Sequence, residues 1–200
     1  MTESILLPKD IHQLVDVLGT TLDAKNAYTC GHSERVADYA LIISQALHLS
    51  EREQMRIHIG AHLHDIGKIG IPDAILNKKG KLTFQEFEVM KKHPGLGANI
   101  VEKVEVLHPI IDIVKHHHER MDGRGYPDGL KQEEISLAAR IVAIADSFDA
   151  MTSIRAYRGA MTYIDALHEL KNNAGTQFDK YVVAKILEKN IFNDKEEQIC

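Results

Sequence analysis

Residues 136–152 read SLAARIVAIADSFDAMT, a run in which apolar residues are too dense for a half-exposed helix and do not alternate as a strand would. It predicts a buried, Ala/Ile-rich helix opened by Ser136. Asp146 sits in that run. A carboxylate buried without a partner is unfavourable, so a backbone N–H, an arginine or a metal ion has to satisfy it.

Working outward, the helical period persists. Ile11, Leu14, Val15, Leu18 and Leu22 recur at helical spacing, as do His32, Val36, Tyr39, Ala40 and Ile43. Ser50 with Glu53 predicts a capping box opening a helix that runs to about His64 and is broken by Gly67 and Gly70. Thr83 with Glu86 predicts a second box, for a short helix to about Lys92. Pro94 and Pro109 each suit the first turn of a helix. MDGRGYPDGL (121–130) is dense in Gly, Pro and Asp and reads as a loop. Thr162 with Asp165 opens another helix, stopped by Gly175, and a last one runs from about Asp179 to Phe192. No repeat or linker divides the chain. The reading is one all-α domain over residues 1–200, ending in a frayed tail, NDKEEQIC.

Composition narrows the function. The net charge of −5 disfavours a duplex nucleic-acid partner but not a small phosphate ligand. The two cysteines, Cys30 and Cys200, make no disulfide framework and fit a reduced, cytoplasmic setting. The opening MTESILLPKD has no basic region and no long apolar run, and no 18-residue apolar span follows, which argues against export or membrane insertion. The unusual figure is 12 histidines in 200 residues.

Their placement points to metal chemistry. His64-Asp65 offers a nitrogen and a hard oxygen ligand from adjacent positions near a helix end, and the carboxylate can bridge two ions. Further candidates are His32, His93 before Pro94, His117 and His118, and Asp146. In the run His116-His117-His118, helical steps of about 100° let two neighbours face one cavity while the third cannot. Ile110, Ile113, Val114 and His117 mark the inward face, so His118 is the partner and His116 the outlier. His12, His48, His58, His108 and His168 read as solvated or ordinary polar positions, His62 faces away from His64, and Cys30 reads as packing. Lys68 lies within a turn of the ligand pair, where its charge can meet a developing phosphoryl charge. Arg155 and Arg158 suit phosphate oxygens. Tyr126, in the 121–130 loop, can stack on a base or bond a phosphate.

HDIGKIGIPDAILNKKGKLT, KKHPGLGANI, HHHERMDGRGYPDGL and ARIVAIADSFDAMTS, with YTCGHSERVADYA upstream and AGTQFD downstream, resemble the signature blocks of HD-GYP domains, a branch of the HD metal-dependent phosphohydrolases. The resemblance spans about Leu22 to Leu187. It implies a helical-bundle HD-type fold with a buried dinuclear metal site, and hydrolysis of cyclic di-GMP to linear pGpG, which family members often carry onward to GMP. By motif, the implied ligands are His32, His64, Asp65, His93, His117, His118 and Asp146, with Asp65 bridging two divalent ions, iron or manganese first and other transition metals admitted. Asp65 and Lys68 carry the catalytic expectation, and Lys68, Tyr126, Arg155 and Arg158 the substrate contacts. Activated water would attack phosphorus in line and the 3′ oxygen would leave.

Two departures stand out. Some relatives carry a glutamate ligand where this chain has Tyr28, so two ions are expected rather than three. Ala156 replaces a usual proline, which loosens the segment holding Arg155 and Arg158. With only about twenty residues before the match, regulation would come from a separate protein or a homodimer formed through a helix. The rival readings are an HD phosphohydrolase of another nucleotide, a catalytically silent cyclic-dinucleotide sensor or adaptor, and a helical scaffold with scattered polar residues.

Overall fold

Ser136 begins the central element as its sequence predicts: its Oγ accepts from the Ala139 N–H, and the helix runs Leu137–Thr152. In this computed structural model, which describes residues 9–25, 31–153 and 159–192, that helix is α8. Before it come α1 (Lys9–Lys25), α2 (His32–Ala46), α3 (Glu51–Leu63), α4 (Asp73–Leu76), α5 (Phe84–Met90), α6 (His93–Val101) and α7 (Ile111–His116); after it come α9 (Tyr163–Asn172) and α10 (Lys180–Lys189). Among the described residues no strand forms beyond one isolated bridge between Ala174 and Phe178. The all-α expectation is met.

α8 is interior because Ala138, Ala139, Ile141, Val142, Ile144, Ala145 and Phe148 cover more than half its circumference, and all are buried. It packs on α2, α3, α7 and α9. The predicted stripe of α2 (His32, Val36, Tyr39, Ala40, Ile43) is buried throughout against α3 and α8. Phe148 stacks on Phe192 with ring centroids 4.1 Å apart and meets the edges of Tyr39 and Tyr163. Burying one such ring contributes about 1.5–3 kcal/mol.

The caps lie where the sequence puts them. Thr83 and Glu86 form a complete capping box on α5. Ser50 accepts from the Glu53 N–H, while the Glu53 carboxylate turns to Arg56. Thr162 caps α9 and Asp179 caps α10. Pro94 occupies the first turn of α6. Pro109 departs from expectation: it lies inside a 3₁₀ segment, Glu105–Ile110, that leads into α7. Such a tight turn at a helix entry tolerates a missing N–H as an α-helical first turn does.

α1 also departs from its predicted face. Val15 and Leu22 turn inward, but Leu14 and Leu18 are 62% and 46% exposed. α1 packs on one side only, against α2 and α3, and a 100° step carries these two leucines off that side. The side chain of Ile11 lies outside the described residues.

One contact positions the site. The 3₁₀ segment Ile66–Gly70 follows α3 and crosses the start of α6. A Cβ on Gly67 would lie 1.9 Å from the His93 carbonyl oxygen and 2.4 Å from the Gly97 nitrogen, so only glycine permits this crossing. It brings the His64-Asp65 pair beside His93. No helix among the described residues is long and apolar enough to cross a membrane.

Candidate metal centre

Helix C-termini present carbonyls that lack intrahelical partners, and here three of them set histidine rings. His64, capping α3, places Nδ1 2.6 Å from the Ala61 oxygen. His93 places Nδ1 2.8 Å from the oxygen of Met90, the last residue of α5. His117, capping α7, places Nδ1 2.9 Å from the Val114 oxygen. A carbonyl only accepts, so Nδ1 is the donor and Nε2 is the ring atom left for another partner. His32 is held instead by a carboxylate: its Nδ1 lies 2.7 Å from Asp149 Oδ2, and Asp149 in turn accepts from Arg35 Nε.

The seven residues proposed as ligands from sequence fall into two groups. Asp65, His93, His117 and His118 each offer one atom within 4.8 Å of the others; His32, His64 and Asp146 do the same. Asp65 joins the groups. Its Oδ1 lies 3.2 Å from His93 Nε2 and 3.7 Å from His117 Nε2, while its Oδ2 lies 3.3 Å from His64 Nε2 and 3.8 Å from His32 Nε2. Asp146 Oδ1 stands 3.4 Å from His32 Nε2. The ammonium of Lys68 is ion-paired with Asp65.

Electrostatics separates the groups as well. Burial opposes a charge on His32, yet hydrogen bonds to Asp146 and Asp149 and the charges of Asp146 and Asp65 hold its pKa up to about 9. Burial brings His117 down to about 4, and it also holds His118 well below the usual histidine value, with His117 and His93 adding repulsion. Burial raises the pKa of Asp65 and Asp146, but their basic neighbours, Lys68 and His64 for Asp65 and His32 and His64 for Asp146, keep both ionised.

His64 Nε2 and Asp65 Oδ1 are buried and have no hydrogen-bond partner. Each such atom costs about 1–3 kcal/mol. They fall in different groups, and a cation in each group satisfies each of them. Imidazole and carboxylate without thiolate is a donor set for divalent first-row metals. The residues present therefore fit divalent metal ions.

The 121–130 loop closes one side. Its backbone is tied to the end of α7: the Tyr126 N–H donates to the His118 oxygen at 3.2 Å, and Glu119 Oε1 accepts from the N–H groups of Asp128 and Gly129 at 2.7 and 3.0 Å. A Cβ on Gly125 would sit 2.5 Å from the Arg120 nitrogen, so the turn needs glycine there. The Tyr126 ring lies 4.8 Å from that of His118. Burial and the charges of Asp65 and Asp146 push its pKa up, leaving a neutral hydroxyl donor. His116 faces away, to Asp128 at 3.1 Å. Arg155, Ala156, Arg158, Tyr28, Cys30 and Cys200 lie outside the described residues.

Sequence reading passed over three residues. Asp149 and Arg35 orient His32, and the buried Glu119 ties down the loop. Asp149 had a signal: it is the second acid in the same apolar helix, three residues after Asp146. One expectation is corrected. His58 is not a solvated polar position: it is half-buried and clusters with His12 and with His62, which is 5% exposed and belongs, away from His64, to this separate group.

The chain is similar to known proteins in sequence and in fold. The chain is 40% identical over 179 residues to a cyclic di-GMP phosphodiesterase of Thermotoga maritima, covering 88% of this chain and 49% of that protein. It is 40% identical over 166 residues to 3'3'-cGAMP-specific phosphodiesterase 3 of Vibrio cholerae, covering 83% of this chain and 36% of that protein. The chain thus spans half or less of the length of these curated relatives. A solved cyclic GMP-AMP-specific phosphodiesterase of Vibrio cholerae superposes with a TM-score of 0.71 at 20% identity, over 91% of this chain and 49% of that one, a likeness of fold. The family model described as HD domain matches residues 16–182. With that match running from the middle of α1 into α10 and taking in every described ligand candidate, the chain belongs to the HD domain family, of which the HD-GYP proteins that its sequence blocks resemble are a branch.

Proposed function

We propose that this chain is the hydrolytic domain of a cyclic-dinucleotide phosphodiesterase, acting on cyclic di-GMP through two divalent ions, iron or manganese. The observation that carries the reading is the division of Asp65, one carboxylate oxygen toward each histidine group. The names of the two relatives support the substrate class.

Bound ions would supply Lewis acidity toward a phosphoryl oxygen and acidify water. His32, His64 and Asp146 would hold one ion, His93, His117 and His118 the other, and Asp65 both. Lys68, beside Asp65, would neutralise charge that builds on the phosphoryl group. The neutral Tyr126 hydroxyl would donate to a phosphate oxygen, and Glu119 keeps its loop in place. Arg155 and Arg158 would grip the second phosphate.

The test is metal content with turnover. The chain, purified without oxygen and supplied with Fe(II) or Mn(II), should hold two ions at this centre and release linear pGpG from cyclic di-GMP. Faster turnover of 3'3'-cGAMP would keep the enzyme and change the base preference. Metal without hydrolysis of either dinucleotide would favour a sensor. No metal would overturn the reading.

A further inference from the structure

A second group of metal-ligating side chains lies outside this centre, where α1 crosses α3. His58 and His62 are four residues apart on α3, and His12 and Asp16 are four apart on α1, so each helix presents one pair on one face. One nitrogen from each of His12, His58 and His62 lies within 4.8 Å of the others. Asp16 stands at the edge of this set: its Oδ1 is 3.4 Å from His62 Nε2 and its Oδ2 is 3.3 Å from His12 Nδ1.

The nitrogens face inward rather than merely packing. His58 Nδ1 lies 3.2 Å from the Ala37 carbonyl oxygen, which can only accept, so Nδ1 carries the proton and Nε2 is a bare lone pair. That Nε2 lies 3.3 Å from His62 Nε2. Anchoring one ring nitrogen to a carbonyl and turning the other inward is how ligating histidines are oriented. Burial lowers the His58 pKa, which keeps the ring neutral and able to bind.

Asp16 Oδ1 adds an independent observation. It is buried and has no hydrogen-bond partner, although it points at His62. A tetrahedral ion with ligands at about 2.0–2.1 Å holds them about 3.3–3.4 Å apart. The His58–His62 and His62–Asp16 separations of 3.3 and 3.4 Å match that edge. The cluster opens on a cavity of about 530 Å³ that Asp23, Glu34 and Asp38 also line, an acidic entry for a cation.

We propose that His12, Asp16, His58 and His62 form an auxiliary site for a zinc-class divalent ion that staples α1 to α3. It is separate from the proposed hydrolytic centre and stands or falls independently of it. Three imidazoles and one carboxylate, with no vacancy required for chemistry, suit a structural ion. The consequence falls on α1, which otherwise packs on one side only.

The full chain titrated with Zn(II) in excess should bind one ion more than either His12→Asn or His58→Ala. His12 is half-exposed, so His12→Asn tests the site without disturbing the core. With zinc at about ten times its Kd for this site, amide exchange in α1 should slow about tenfold in the wild-type chain and not in His12→Asn. Equal zinc content in the wild type and both variants, or equal protection of α1 with and without zinc, would overturn the proposal. Loss of zinc from the Asp65 centre leaves these differences readable, because they are taken against variants that keep every Asp65 neighbour.

Discussion

Asp149 Oδ2 lies 2.7 Å from His32 Nδ1, so the orientation of one candidate ligand ring depends on a carboxylate from another helix. Replacing Asp149 with Asn keeps the shape and removes the charge. The ion at His32, His64 and Asp146 should then bind about 10–100-fold more weakly, while the ion at His93, His117 and His118 keeps its affinity. Titration with Mn(II) against a chelator resolves the two steps. Equal weakening of both would mean that Asp149 supports the fold and not the ring.

Lys68 touches Asp65 but belongs to neither histidine group. In Lys68→Met, metal content should stay at the wild-type level or fill more readily, since a competing positive charge is gone. Turnover of cyclic di-GMP should fall about 10²–10³-fold, the scale for losing one donor to developing charge, mostly in kcat. A rise in KM alone would make Lys68 a binding residue.

Gly67→Ala puts a methyl group 1.9 Å from the His93 carbonyl. Backbone has to move, at a cost of about 1–3 kcal/mol in urea denaturation. Because the moving segment carries both His93 and the chain after Asp65, the His93 group should lose its ion before the protein loses its fold. A variant with full metal content and unchanged stability would contradict the crossing described here.

The two groups should also respond differently to pH. His32, with its pKa held up to about 9, is protonated at neutral pH and has to release that proton to bind an ion. Affinity at its group should therefore rise about tenfold per pH unit from 6 toward 9. His117, at about 4, and His118, lower than usual, are already neutral there, so neither adds a pH slope and affinity at their group should rise less steeply over the same range. Metal titrations at pH 6, 7 and 8 distinguish two steps of unequal slope from two parallel ones.

Much of this was legible beforehand for a physical reason. Caps are local, so Thr83, Ser136, Thr162 and Asp179 announced their helices. An acid in an apolar helix, such as Asp146, is an exception that periodicity exposes. What escaped depends on which helices touch. His12 and His58 are ordinary polar residues on their own helices, and only the α1–α3 contact makes them neighbours. Glu119 escaped for the same reason: its partners are backbone N–H groups of a loop whose path the sequence leaves open. Leu14 and Leu18 misled because periodicity states that a helix has an apolar face, not how wide its neighbour is.

Three of the four anchored rings lean on main-chain oxygens, those of Ala61, Met90 and Val114. Every amino acid carries that oxygen, so no exchange of those three residues deletes the support. Drift at these positions changes bulk and leaves the support itself untouched. His32 alone trusts a replaceable group, so among the four positions that hold these rings a saturation library of this chain should concentrate its losses at Asp149, with silence at 61, 90 and 114 wherever size is kept.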